Sequence, residues 1–265
     1  MAGTSTTGAG TFAPNPGAAP LPSMLLAQTG LEIRMVLRNG EQLLLTVVIP
    51  VLVLVVFGSV EVMDLGSQAE RMDFLLPGVL ALAVMSTAFT GLAIGTGFER
   101  RYGALKRLGA SPLPRWTLLA AKGLSVLAIE ALQVVLLCAV ALALGWDPSG
   151  SAIGALVLVL AGTAAFAALG LLMAGTLRAE ATLAAANLVY LLLLVSGGIA
   201  VPLDRFPEGA RPVLEALPAG ALAEGLRDAL SPGIGSAGIP WAPLLVLLAW
   251  AVAAGALAAR TFRWE

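Results

Sequence analysis

The chain has 265 residues, of which 58% are hydrophobic and only 12% are charged, and its formal net charge is -1. Soluble domains carry roughly twice that share of charged residues, so the composition predicts an integral membrane protein. The sequence contains no histidine and one cysteine, Cys138. Histidine-ligated metals, histidine-based catalysis and an intrachain disulfide are therefore excluded.

The N-terminal residues divide into a tail and a helix. Residues 1–23 are uncharged and rich in Gly, Pro, Thr and Ser, so we expect a flexible cytoplasmic tail rather than a signal peptide. Over residues 24–42, apolar side chains recur at roughly helical spacing, and charged ones occupy the rest of the surface: Glu32, Arg34, Arg38 and Glu41. This pattern predicts an amphipathic interfacial helix.

The remaining residues, 43–265, are predicted to form one six-span domain. At about 1.5 Å per residue, six apolar stretches are long enough to cross roughly 30 Å of hydrocarbon. They are 43–60, 74–98, 117–144, 152–177, 183–203 and 239–259. The predicted fold class is therefore an all-α integral membrane protein with six transmembrane helices.

Charge is unevenly distributed between the two sides of this six-span arrangement. Eleven basic residues fall on the side that holds both termini: Arg34, Arg38, Arg100, Arg101, Lys106, Arg107, Arg115, Lys122, Arg178, Arg260 and Arg263. Four basic residues and ten acids fall on the other side. Because basic residues resist translocation, we expect both termini to be cytoplasmic.

The longest cytoplasmic loop, residues 98–123, reads FERRYGALKRLGASPLPRWTLLAAKG. Tyr102, Leu105 and Leu108 recur every third residue, and Pro112 and Pro114 then interrupt the helix. The pattern predicts a short helix with an apolar ridge and basic flanks that contacts a cytoplasmic partner. The alternative is that its basic residues only fix the topology.

Two further regions have predicted roles. Residues 204–238 contain two short amphipathic patterns separated by Pro218, which predict an outer helical hairpin, either capping the bundle or re-entrant. Glu130 is an acid near the middle of the third span, with Gln133 one turn later and Asn187 in the fifth span. All three could line a substrate path, and Glu130 could instead face the seam between two copies. Alternatively, Glu130 is a protonated acid bonded to a neighbouring helix, and Asn187 forms an interhelix hydrogen bond.

From about Met24 onward the chain resembles the permease subunits of type-2 ABC exporters, a group that includes daunorubicin-resistance-like drug efflux permeases. The similarity is carried by DFLLPGVLALAVMS at 73–86, FERRYGALKRLGASPLPRWTLLAAK at 98–122 and the stretch at 196–230. It implies that residues 24–42 form the connecting helix and that one coupling segment contacts an ATP-binding subunit. The segment comprises Glu99, Arg100, Arg101, Tyr102, Gly103, Leu105, Lys106, Arg107 and Leu108. Ala104 stands where the family often has Thr, which leaves any role of a hydroxyl there in question.

The resemblance also implies a partner set and a function. A second permease, most simply an identical copy, and two ATP-binding subunits would complete an exporter of a hydrophobic or amphipathic compound, drug-like or lipid, with a role in multidrug efflux and antibiotic resistance. The sequence has no Gly-x-x-x-x-Gly-Lys-Ser/Thr loop, so ATP and Mg would bind the partner. We expect no cofactor, metal or catalytic residue in this chain, no nucleic-acid partner, and a location in the bacterial plasma (inner) membrane.

Other functions remain open on the sequence alone. Export of a polysaccharide or lipid-linked glycan is the nearest alternative, although an aromatic content of 6% favours a smaller amphiphile. A membrane-embedded enzyme would need clustered polar side chains at membrane depth. An ion-gradient transporter would be expected to show an internal repeat of broken helices.

Overall fold

The computed structural model describes residues 19–59, 68–110, 113–199, 203–230 and 238–262, and this part of the chain contains helices and no strands. Most of the predicted tail and Pro112 lie outside the described residues. The helices are α1 (Leu21–Arg38), α2 (Gly40–Leu43), α3 (Ile49–Ser59), α4 (Gln68–Val84), α5 (Leu92–Arg101), α6 (Ala104–Gly109), α7 (Arg115–Ala143), α8 (Ala152–Thr176), α9 (Ala179–Ser196), α10 (Arg211–Glu215), α11 (Pro218–Leu230) and α12 (Trp241–Thr261). The all-α class is confirmed.

Five helices of the described chain are long and apolar enough to cross a membrane. They are Glu70–Arg101, Trp116–Ala143, Ala152–Thr176, Ala179–Ser196 and Trp241–Thr261, and they correspond to the predicted spans two to six. The first predicted span, 43–60, contains only the shorter apolar helix Thr46–Ser59. The structure therefore supports five candidate spans, and a sixth stays a prediction.

Two π-helical segments join helices without breaking them. Leu44–Val48 connects α2 to α3, and Met85–Gly91 connects α4 to α5. Helical backbone consequently runs without interruption over residues 40–59 and 68–101. Single π turns inside α-helices are uncommon and frequently lie at functional sites.

The helix formed by α4, the second π segment and α5 lies at the centre of the bundle. In its most apolar window 83% of residues are buried, against 22% for α9 and for α12. Gly170 of α8 allows one of the closest approaches, because a Cβ there would lie 2.9 Å from the carbonyl oxygen of Phe89 in the π segment. A glycine at this position lets the two backbones touch.

Helix α11 is inserted among the other helices instead of lying across their ends. A Cβ at Gly162 of α8 would lie 2.9 Å from Leu222, and Trp250 of α12 donates its indole N–H to the carbonyl of Ala216 at 2.9 Å. Gly162 and Trp250 each lie nearly three turns inside their helices, about 15 Å from the helix end at about 1.5 Å per residue. The hairpin therefore reaches about half the depth of the bundle.

Helix α1 turns its polar side toward the bundle. Gln28 and Glu32 are buried, whereas Leu26 is 69% exposed and Leu31 and Met35 are also exposed. The sequence pattern assigns Glu32 to the charged surface of an amphipathic helix, but the structure buries it. Its carboxylate is buried because Lys122 of α7 provides an opposite charge beside it.

Candidate functional site

The coupling segment begins with a sharp turn between α5 and α6. Tyr102 donates its backbone N–H to the carbonyl of Phe98 at 2.9 Å, and Gly103 has φ of 69°. This left-handed conformation costs an L-residue about 1–2 kcal/mol, so glycine is the suitable residue there. The carbonyl of Gly103 then accepts from the N–H of Arg107 at 3.1 Å, and α6 starts in a new direction.

The outer side of this turn carries one aromatic and two basic side chains. Tyr102 is 68% exposed and stacks on Phe98 with 6.0 Å between ring centroids. Lys106 and Arg107 are also exposed, and the Arg107 guanidinium donates to the Tyr102 carbonyl at 3.3 Å. We call Tyr102 of the turn, together with Lys106 and Arg107 of α6, the exposed face of α6.

The leucines of the predicted ridge do not share this exposed face. Leu105 is only 2% exposed, and Leu108 is half-buried. The three-residue spacing of Tyr102, Leu105 and Leu108 therefore does not form one continuous apolar ridge. Leu105 packs inside the chain and holds α6 against it.

Glu99 contacts a buried lysine rather than the solvent. The Lys122 ammonium lies 2.7 Å from a Glu99 carboxylate oxygen and 3.2 and 3.1 Å from the two oxygens of Glu32. Gln28 donates its side-chain amide to Glu32 at 2.9 Å. Three helices, α1, α5 and α7, thus meet at a single ammonium group.

The two arginines that follow Glu99 also bind other helices of the same chain. Arg100 donates to the carbonyl of Gly175 at 2.8 Å and to that of Leu177, at the end of α8. Arg101 pairs with Glu180 in the first turn of α9. The family resemblance implies that Glu99, Arg100 and Arg101 contact a partner, but in the structure their side chains bind α7, α8 and α9 of the same chain.

Glu130 lies in the interior of the bundle and is 2% exposed. The Thr163 hydroxyl of α8 is 2.5 Å from one Glu130 oxygen and 2.8 Å from the carbonyl of Val159. A hydroxyl has one proton and donates to one acceptor. A protonated Glu130 that donates to Thr163 would make both contacts full hydrogen bonds, and it would also reduce the cost of burying the carboxyl group.

Gln133, one turn after Glu130, connects the two π-helical segments. Its side-chain N–H donates to the carbonyl of Thr46 in the first segment, and its side-chain oxygen accepts from the Thr87 hydroxyl of the second at 3.1 Å. Gln133 is itself 2% exposed. These two contacts were not predicted from the sequence, because π segments have no recognisable sequence pattern here.

The structure does not bring Asn187 to the other two polar residues proposed for a substrate path. Glu130 and Gln133 are buried on one face of α7, whereas Asn187 is exposed on α9. On that outer surface its neighbours along the helix are apolar and exposed, including Leu188 and Leu191. Asn187 therefore belongs to a lateral surface of the bundle.

Sequence reasoning missed one buried polar site, at Arg227 of α11. Its guanidinium donates to the carbonyl of Gly198 at 2.6 Å, pairs with Glu224 at 2.5 Å and lies 4.1 Å from the ring centroid of Phe74. The three contacts hold α11 against α4 and the end of α9. The i,i+3 spacing of Glu224 and Arg227 was the available signal.

Two comparisons with known proteins show what the chain is similar to. The sequence profile described as ABC-2 type transporter matches residues 25–230. The chain is also 25% identical over 236 residues to "Putative transport permease YvfS" of Bacillus subtilis (strain 168), a match that covers 86% of this chain and 92% of that protein.

Proposed function

The chain belongs to the ABC-2 type transporter family, and from this premise we propose that it is the permease of an ATP-driven exporter. Its role is that of a transport subunit, and a separate ATP-binding subunit supplies the energy. We propose a hydrophobic or amphipathic substrate, drug-like or lipid, moved out across the bacterial plasma membrane, in the manner of multidrug efflux. The complete exporter would contain two permeases and two ATP-binding subunits, with ATP and Mg held by the latter.

The observation that carries the proposal is the exposed face of α6. Two cations project from a short helix and an aromatic side chain projects from the turn before it, while the buried Leu105 holds the helix to the bundle. Exposed Tyr and Arg side chains are enriched at the centres of protein interfaces. We propose that Tyr102, Lys106 and Arg107 contact the ATP-binding subunit, and that Leu105 sets the position of α6 from inside.

The arrangement of the chain ends supports a cytoplasmic position for this face. Glu32 of α1 bonds to Lys122, and Phe262 after α12 packs against Gly175 beside the Arg100 contacts. Both ends of the described chain therefore lie at the end of the bundle that carries α6. This end also carries most of the basic residues, as expected of the cytoplasmic side.

Helix α9 is the surface on which we propose the second permease. Leu188, Leu191, Leu192 and Val195 are all more than half exposed. Asn187 lies among them with an exposed amide, and such a group in hydrocarbon gains from a hydrogen bond to another helix. A second copy related by a two-fold axis could supply the same amide in return.

Co-purification tests the proposed function. The chain, with an affinity tag, is co-expressed with an ABC ATP-binding subunit and extracted in mild detergent. We expect the ATP-binding subunit to be retained, and to be lost with Arg107→Glu or Tyr102→Glu. Arg205→Glu, an equivalent charge reversal at an exposed residue on the opposite end, should retain it. Equal retention in all variants would refute the assignment of the exposed face.

A further inference from the structure

Three consecutive residues at the end of α5 connect to three different helices. Glu99 bonds to Lys122 of α7, Arg100 to the carbonyls at the end of α8, and Arg101 to Glu180 of α9. They immediately precede the Tyr102–Gly103 turn into α6. A displacement of α6 can therefore pass through these contacts to α7, α8 and α9.

The contacts differ in how far their side chains are shielded from water, and therefore in strength. The side chains of Lys122 and Glu32 are 4% and 9% exposed, and Glu99 is 22% exposed. Arg100 bonds to two main-chain carbonyls and is partly buried. The Arg101–Glu180 pair is 49% and 60% exposed, and exposed ion pairs contribute little because water screens them.

Lys122 also brings α1 into the same assembly. Its ammonium can donate three hydrogen bonds, and it lies between carboxylates of α1 and α5. Gln28 fixes the orientation of the Glu32 carboxylate from one turn away on α1. A buried ionic contact thus joins α1 to Glu99, which lies at the end of α5 just before the turn into α6.

We infer that Glu99, Arg100, Lys122 and Glu32 form an anchor that makes α1, α5, α7 and the end of α8 move as one body with α6. In this arrangement the four residues are positioning residues and do not contact the ATP-binding subunit. The inference rests on the proposed function in one respect, namely that the ATP-binding subunit contacts and displaces α6. It adds α1 to the moving part and removes Glu99 and Arg100 from the docking surface.

The burial of an ion cluster does not show whether the cluster stabilises the fold or positions the helices. Replacing a buried ion group by neutral side chains of similar size is often neutral or stabilising, whereas removing one partner leaves an uncompensated charge. A variant in which the three charges of the Lys122 cluster are removed together, with Arg100 left in place, therefore separates stability from positioning. The variant combines Lys122→Met, Glu32→Gln and Glu99→Gln, and we call it the neutral-anchor variant.

Pulsed dipolar spectroscopy measures the rigidity directly. In a Cys138→Ser background, spin labels are placed at Leu31 of α1 and Gly109 of α6, which are both exposed. The full-length permease is studied in lipid nanodiscs, alone and with the ATP-binding subunit in nucleotide-free and vanadate-trapped states. With the labelled permease diluted into an excess of unlabelled copies, so that distances between copies do not contribute, we expect one narrow distance distribution that is the same in every state.

In the neutral-anchor variant we expect the distribution to widen at least twofold, already in the permease alone. Arg101→Gln, which removes only the exposed pair, should leave the width unchanged. Equal widths in the neutral-anchor variant and the parent would overturn the inference. Failure of the ATP-binding subunit to assemble would instead refute the proposed function, because the measurement on the permease alone does not depend on it.

Discussion

Removing the Lys122 ammonium alone should destabilise the protein strongly. Lys122→Met keeps most of the side-chain volume but leaves Glu32 and Glu99 buried beside each other without a cation. Breaking a buried ion pair from one side typically costs about 3–5 kcal/mol. We expect a loss in that range in the free energy of unfolding, measured by titrating the purified permease from mild detergent into denaturing detergent.

The structure also predicts which second substitution restores stability. Glu32 is the more buried acid, with 9% side-chain exposure against 22% for Glu99, so its uncompensated charge costs more. Adding Glu32→Gln to Lys122→Met should therefore recover more of the loss than adding Glu99→Gln. The amide oxygen left by Glu32→Gln can still accept the hydrogen bond from Gln28.

A matched control distinguishes this effect from a general loss of charge. Lys106→Met makes the same chemical change at an exposed residue of α6 and should alter the unfolding free energy by no more than about 0.5 kcal/mol. The reasoning is refuted if Lys122→Met costs no more than this control. It is equally refuted if the two second substitutions restore nothing, since the loss would then not come from unpaired carboxylates.

Three further predictions concern other positions. Gly103→Ala should cost about 1–2 kcal/mol of unfolding free energy because φ is 69°. Its control, Gly109→Ala, lies in helical backbone with open space around it and should cost nothing or stabilise the protein. Equal effects of the two substitutions would contradict a conformational origin of the loss. Glu130→Gln should change the unfolding free energy by less than about 1 kcal/mol, because an amide replaces a neutral acid in one hydrogen bond, and a larger stabilisation would show that Glu130 is ionised. In a Cys138→Ser background, Asn187→Cys should form a disulfide-linked dimer under mild oxidation in membranes and Val252→Cys of α12 should not; the reverse would place the second copy elsewhere.

The sequence predicts those parts of the fold that depend on local composition. Five spans follow from the length of their apolar runs. The turn at Gly103 was not predicted, because Tyr102, Leu105 and Leu108 fit one helical pattern across it. The position of α11 cannot be predicted from its own residues, because Leu222 packs against Gly162 of another helix. Its amphipathic pattern fits a cap on the bundle and an inserted helix equally well.

The candidate site shows the same division between local and distant information. The sequence indicates where charges are concentrated but not which of them face inward. Arg100 donates to the carbonyl of Gly175, 75 residues later, and Glu32 pairs with Lys122 of α7. A polar stripe on a helix predicts exposure only when no opposite charge is buried beside it, and the sequence carries no sign of that neighbour.

Helix α7 explains how an anchor at one end can affect the whole bundle. It is 29 residues long and carries Lys122, Glu130 and Gln133 on its buried side. Lys122 bonds to α1 and α5, Glu130 to α8, and Gln133 to both π-helical segments. Because an uninterrupted helix is stiff along its axis, a displacement that enters through Glu99 reaches Gln133 without a flexible joint. Under the proposed anchor, the displacement would therefore reach the two π-helical segments that Gln133 connects.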